Sequence, residues 1–172
     1  MVCDSPAISA QIQPYLRAQR SLIVLLLILI CFFLPIQLYI IGDSIGYGLQ
    51  TTFFRFNDTI YGAGFIFLNQ DIGYILSGTY TGRTAISVIA WLAGDLLLLS
   101  GTCCALIIPG DRVQKNRTLG GPLIMASGIC FLFACITQYG IVLHGNAGTS
   151  LPVGVLLILI IGWLTWKGNQ AP

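Results

Sequence analysis

Charge is what this sequence is short of. It has eight Lys and Arg, six Asp and Glu, and only 8% charged residues in 172. A soluble domain carries about a quarter. So few charges cannot cover a water-facing surface, which excludes an ordinary soluble fold. The net charge of +2, with no Lys/Arg cluster, leaves no nucleic-acid partner to expect. Histidine is reduced to His144, so neither a two-histidine haem nor an H-E-x-x-H zinc centre fits within one chain. Phosphate-binding loops, dinucleotide glycine motifs and Cys/His metal spacings are missing too, so no metal and no cofactor are expected. Cysteines are absent from 42–83 and from 144–150. That excludes a disulfide-stapled outer domain.

What the chain does have is apolar length. It is 56% hydrophobic, with a mean hydropathy of +0.86. Four runs stand out, at 21–41, 84–108, 122–143 and 151–167. A bilayer core of about 30 Å needs about 20 helical residues. The first three runs meet this directly, and the fourth does so with its flanks. The first is too long for a signal-peptide core, and no small-x-small cleavage site follows it, so it reads as a retained helix. The expected fold is an all-α integral membrane protein, a four-transmembrane-helix bundle with a small antiparallel β-rich outer loop between helices 1 and 2. It forms one domain. Residues 1–20 are a cytoplasmic tail, 42–83 the outer loop, 109–121 a basic cytoplasmic loop, 144–150 a short outer turn and 168–172 a cytoplasmic tail. With both termini inside, six basic residues lie inside (Arg17, Arg20, Arg112, Lys115, Arg117, Lys167) and two outside (Arg55, Arg83). The positive-inside rule favours that arrangement, a multi-pass protein of the cell membrane.

The outer loop holds nine aromatics and few charges, so it should fold. Residues 51–56, 60–68 and 72–76 read as strands, with turns at Asn57-Asp58-Thr59 and Asn69-Gln70-Asp71. The apolar face of such a sheet is expected to rest on the helix ends and the headgroup region, where aromatic rings are favoured. Phe53, Phe54, Phe56, Tyr61, Phe65, Phe67 and Tyr74 are the contact candidates. They point to membrane lipid, a protein partner or a second copy of the chain. Asn57-Asp58-Thr59 is also an N-glycosylation sequon, with Asn57 as acceptor.

Asp95 falls near the middle of the second run. A charged side chain there costs roughly 2.5–3.5 kcal/mol to insert. At about 1.5 Å per residue from the inner helix ends, Asp95, Thr137, Gln138 and Gln37 share one layer, roughly 20–25 Å up. Pro35 is expected to kink the first helix beside Gln37. Two roles follow for this layer: hydrogen-bonded glue, or the site of a small oligomeric channel or transporter-like subunit. Small residues (Ser87, Ala90, Gly94, Gly101 and Ala105, then Ser127, Cys130 and Ala134, then Gly154 and Gly162) mark the packing faces. Gly42-Asp43-Ser44-Ile45-Gly46 matches G-x-S-x-G, and His144, Asp58 and Asp71 lie on the same side. A nucleophile elbow needs a strand–turn–helix in an α/β sheet, so a hydrolase using Ser44 and His144 is a remote reading and the chain is expected not to be an enzyme.

The layout resembles that of claudin and peripheral-myelin type four-span proteins, across the whole chain and as topology. The resemblance implies both termini inside, a long β-rich first outer loop and a short second one. That family's first-loop signature, W-x(n)-GLW-x(n)-C-x(n)-C, has no counterpart here, because residues 42–83 contain neither Trp nor Cys. No residue role carries over.

Overall fold

The computed structural model describes residue 29 and residues 32–42, 45–106 and 113–168. Residues 1–28, which hold the N-terminal tail and most of the first expected span, lie outside that set. Ten elements follow in order: β1 (Gln37–Ile41), β2 (Gly46–Gln50), β3 (Phe54–Thr59), β4 (Gly62–Phe67), α1 (Leu68–Leu76), α2 (Gly82–Leu106), α3 (Val113–Tyr139), β5 (His144–Gly145), β6 (Gly148–Leu151) and α4 (Val153–Gly168). The strands form a single antiparallel sheet in the order β4-β3-β2-β1-β6-β5.

The four-transmembrane-helix bundle is therefore corrected. Among the described residues, two helices are long and apolar enough to cross a membrane, over Gly82–Ala105 and Leu119–Tyr139. The end of the first apolar run is β1, not helix. Pro35 ends the helical turn at Phe32–Phe33 instead of kinking it, since proline lacks an N–H and crowds the preceding turn. α4 has 16 residues, roughly 24 Å of rise, short of the 30 Å hydrocarbon core. The expected cytoplasmic loop 109–121 is largely helical, because α3 begins at Val113 and carries Pro122 in its interior.

The sheet is also larger than the outer loop. The turn expected at 144–150 is the β5–β6 hairpin, and β6 pairs with β1 from Leu38↔Leu151 to Ile41↔Gly148. The turn expected at 57–59 is strand. The strand expected at 72–76 belongs to α1. That helix starts where the Phe67 N–H donates to Gln70 Oε1 at 2.9 Å, and it stops before Gly78, whose φ of +74° suits a helix C-terminus.

α2 and α3 pack antiparallel through small residues. A Cβ on Gly101 would lie 3.0 Å from the Gly120 carbonyl oxygen. α4 packs on α3 in the same way, with Gly162 against Gly121 and Met125. Backbones approach closely at these points, as small-residue stripes allow. The core between the helices is built on Trp91, Leu98, Ile124, Phe131, Val155 and Ile158.

Candidate functional site on the outer sheet

Strand alternation sends side chains to opposite faces. One face carries Gln37 and Tyr39 from β1, Gln50 from β2, Arg55 and Asn57 from β3, and Ser150 from β6. Gln37, Tyr39, Gln50, Arg55 and Ser150 are all buried. The other carries Leu38, Ile40, Tyr47, Phe65, Phe67 and Leu151, all exposed. The polar face thus rests on the helices and the apolar face looks outward, the reverse of the expected arrangement.

The covered face works because most of its polar groups pair, Arg55 Nε and Asp71 Oδ2 excepted. Gln37 donates to Gln50 Oε1, and its own Oε1 accepts from Ser150 Oγ at 2.9 Å and Cys135 Sγ at 2.8 Å. This ties β1, β2 and β6 to α3. The Tyr39 hydroxyl donates to Asn57 Oδ1, and burial pushes that phenol up to about 12. Arg55 pairs with Asp71 of α1, donates to the Tyr80 hydroxyl at 3.3 Å, and lies 5.9 Å from the centre of the Trp91 ring. Asp71 is fully buried. Burial pushes its carboxyl above the usual range, and the Arg55 guanidinium pulls it back only in part.

The expected intramembrane layer is not brought together. Gln37 sits in the sheet. Thr137 Oγ1 bonds back to the Phe133 carbonyl at 2.8 Å. Gln138 accepts from Ser87 Oγ at 3.2 Å, and Ser87 lies roughly 12 Å from Asp95 along α2. Asp95 is 3% exposed, and neither carboxylate oxygen has a hydrogen-bond partner among the described residues. One turn away, buried Trp91 also has an unpartnered Nε1. Depth along α3 runs from Val113, with Pro122 well inside the helix, so Thr137 and Gln138 lie beyond the level of Asp95.

The hydrolase residues are dispersed. Ser44 lies outside the described residues. Asp71 is held by Arg55, and Asp58 accepts from the Tyr47 hydroxyl at 2.8 Å. His144 is bonded to Thr149 Oγ1 at 2.7 Å, on a strand four places from that of Asp58, roughly 19 Å away at normal strand spacing. Asn57 is mid-strand with its side chain on the covered face, an unsuitable place for a glycan.

The contact candidates share one region but not one role. Phe53 stacks on Phe32 at 5.6 Å. Phe54, Phe56, Phe65 and Phe67 form an aromatic cluster on the outward face, with Phe56 and Phe65 ring centres 4.9 Å apart. Tyr61 is 88% exposed in the β3–β4 turn, and Tyr74 packs on Tyr80 from α1. Sequence reasoning missed Leu38, Ile40, Leu49 and Leu151 as members of the same face. Leu38 and Ile40 were absorbed into a helix, although their i, i+2 spacing carries the strand signal. No known protein family matches this chain, and no curated protein matches its sequence.

Proposed function

We propose that this is a non-enzymatic integral membrane protein that acts by contact through its outer sheet. The observation that carries the reading is the outward apolar face. A sheet that buries Gln37, Gln50, Arg55 and Ser150 while exposing Leu38, Phe65, Phe67 and Leu151 presents a patch that no described residue covers. Exposed apolar patches of this kind mark membrane or protein contact sites. Membrane residence is supported by the two spanning-length helices and by large apolar residues on their outer surfaces, including Ile89, Leu96, Ile129 and Phe133. Helices apolar all round are at home in lipid.

In this reading the protein is a multi-pass protein of the cell membrane with the sheet on the outer side. The basic residues Arg112, Lys115 and Arg117 at the α2–α3 connection are then cytoplasmic, as the positive-inside rule favours. Lys167 at the end of α4 lies toward that side as well, because α4 runs antiparallel to α3 and Trp166 packs level with Gly121. A cytoplasmic N-terminus falls on residues outside the described set. The occupant of the sheet is lipid, a partner protein or a second copy.

The test is native mass spectrometry of protein extracted in mild detergent. Wild type should retain bound lipid or protein. Phe65→Asp should insert normally and lose that mass. An identical bound-mass profile for the two would sink the reading.

A second reading is favoured by the unpartnered carboxylate of Asp95: a proton or cation site in an oligomeric channel-like subunit. Asp95→Asn should then abolish flux into vesicles without loss of expression, and retained flux would rule it out.

A further inference from the structure

We propose that the outward face of the sheet lies against the outer leaflet of the bilayer, and that the groove beside Phe33 and Phe65 seats an acyl chain. The inference rests on the contact reading above and names its occupant as lipid.

The register sorts this face into rows by distance from the helix ends. The helical turn at Phe32–Phe33 leads into the Gln37 end of β1, Leu151 leads into α4, and Phe67 leads into α1. All three junctions lie at one end of the sheet. The β3–β4 turn, the Ile41 and Gly46 ends of β1 and β2, and the turn at 146–147 lie at the other. The row at the helix end is Phe54↔Phe67. The next runs directly across five strands as Leu151↔Leu38↔Leu49↔Phe56↔Phe65. Every member is apolar. The third row, roughly 7 Å farther out, reads His144↔Thr149↔Ile40↔Tyr47↔Asp58↔Ala63. Its polar members are paired with each other, Tyr47 to Asp58 and His144 to Thr149.

Such a gradient suits a surface that leaves the hydrocarbon at one end and reaches water at the other. Aromatic residues with a polar tip gather at that boundary, and Tyr47 occupies it. A protein partner approaching from outside would not require apolarity to fall off with distance from the helices.

The apolar rows also continue without a break into helix surface. Leu29, Phe33 and Leu34 are exposed before β1, and Val153, Leu156 and Ile160 after β6. At the first junction lies an open groove of about 380 Å³, lined by Phe33, Pro35, Leu49, Phe54, Phe56 and Phe65, with Thr51 at its edge. Its walls are almost wholly hydrocarbon and aromatic, the chemistry of an acyl chain and not of a headgroup. Beyond the polar row the turns expose Ile45, Ile60 and Tyr61, so apolarity falls across the three rows of the face and not at the turns.

The experiment is photo-crosslinking of the full chain in vesicles of palmitoyl-oleoyl phosphatidylcholine doped with an alkyne-tagged phosphatidylcholine. p-Benzoylphenylalanine replaces Phe56, Phe65 or Ala63 in turn. Phe65 is 57% exposed, so the larger ring fits there even where Phe56 does not tolerate it. Lipid adducts should form at positions 56 and 65 roughly tenfold more than at 63, as a depth gradient across the interface requires. Adducts of twice the chain mass at 65 would overturn lipid as the occupant and leave the contact reading standing with a second copy. Equal lipid labelling at 63 and 65 would overturn the gradient. No adduct at 56 or 65 would overturn lipid as the occupant and leave the contact reading to a partner protein, which the vesicles do not contain.

Discussion

Arg55 and Asp71 show why a single residue is hard to read in isolation. In the sequence one is an outer charge and the other a turn former, and the fifteen residues between them carry no local signal of pairing. The fold buries both. Removing one partner of a buried pair strands the other, at a cost of roughly 3–5 kcal/mol, while replacing both with apolar groups is often nearly neutral. Arg55→Met should therefore lower unfolding stability in detergent by about that amount, and the double variant Arg55→Met/Asp71→Leu should recover most of it. A double variant as weak as the sum of the singles would mean the pair is not coupled. Tyr39 gives the pH dependence. Its phenol is raised to about 12 from the usual 10, so the folded state holds the proton more tightly than the unfolded chain. Its contribution is fully present below pH 10 and is lost as pH rises through 12, roughly 2–3 kcal/mol in all. Thermal midpoints measured from pH 9 to 12 should fall, and Tyr39→Phe should flatten the fall. Asp95 was legible as costly, but what surrounds it was not. With both oxygens unpartnered, Asp95→Leu should raise the thermal midpoint in detergent, by an amount corresponding to roughly 1–3 kcal/mol. A lowered midpoint would show that a residue beyond the described set satisfies the carboxyl.

Whole elements were misread where hydropathy and periodicity disagree. Residues 37–41 are apolar enough to extend a membrane helix, yet Pro35 and the pairing of Leu38 and Ile40 with both β2 and β6 make them the central strand. The pairing with β6 spans more than a hundred residues, and only the closed fold reveals it. Conversely, Ile72, Tyr74 and Leu76 alternate like a strand but sit in α1, where Asp71 in the first turn is fixed by Arg55 and Gly78 closes the end. Tertiary pairing overrode a short local pattern. α2 and α3 were legible because some two dozen apolar residues admit no other element, and their small-residue contacts at Gly94 and Gly101 followed from the stripe. At the β1–β6 seam the decisive residue is Gly148. Its φ is +122°, and a Cβ there would lie 1.8 Å from the Ile40 carbonyl oxygen. Gly148→Ala should cost at least about 2 kcal/mol, since backbone strain of this kind is worth 1–3 kcal/mol before the clash is counted. Amide exchange in β1 and β6 should then accelerate while α2 and α3 stay protected. Equal acceleration throughout would mean the seam does not open on its own.

At the scale of the molecule, helices and sheet have exchanged the usual relation between inside and outside. A sheet on a soluble core turns its apolar face inward. Here Cys135 and Tyr80 hydrogen-bond Gln37 and Arg55 while Trp91 and Tyr139 pack against Arg55 and Tyr39, so the covered face is the polar one and the apolar face is left for the surroundings. Composition could not show this, because both faces draw on the same strands and only register separates them. The arrangement makes sense when the outside is partly lipid, and in the proposed orientation the sheet lies on the outer side with its distal turns in water. A glycosylation tag tests this directly. Tyr61→Asn with Ala63→Thr creates a sequon in the fully exposed β3–β4 turn, whereas the native Asn57 faces the helices. Expressed in a eukaryotic host, the tagged chain should gain one glycan, removable by an endoglycosidase, and the wild type none. A tagged chain that stays unmodified would place the sheet on the cytoplasmic side. A modified wild type that loses its glycan on Asn57→Gln would show that Asn57 leaves the covered face before the sheet closes over it, and one that loses it on Asn116→Gln would put the second sequon, Asn116-Arg117-Thr118, on the luminal side and the sheet on the cytoplasmic side.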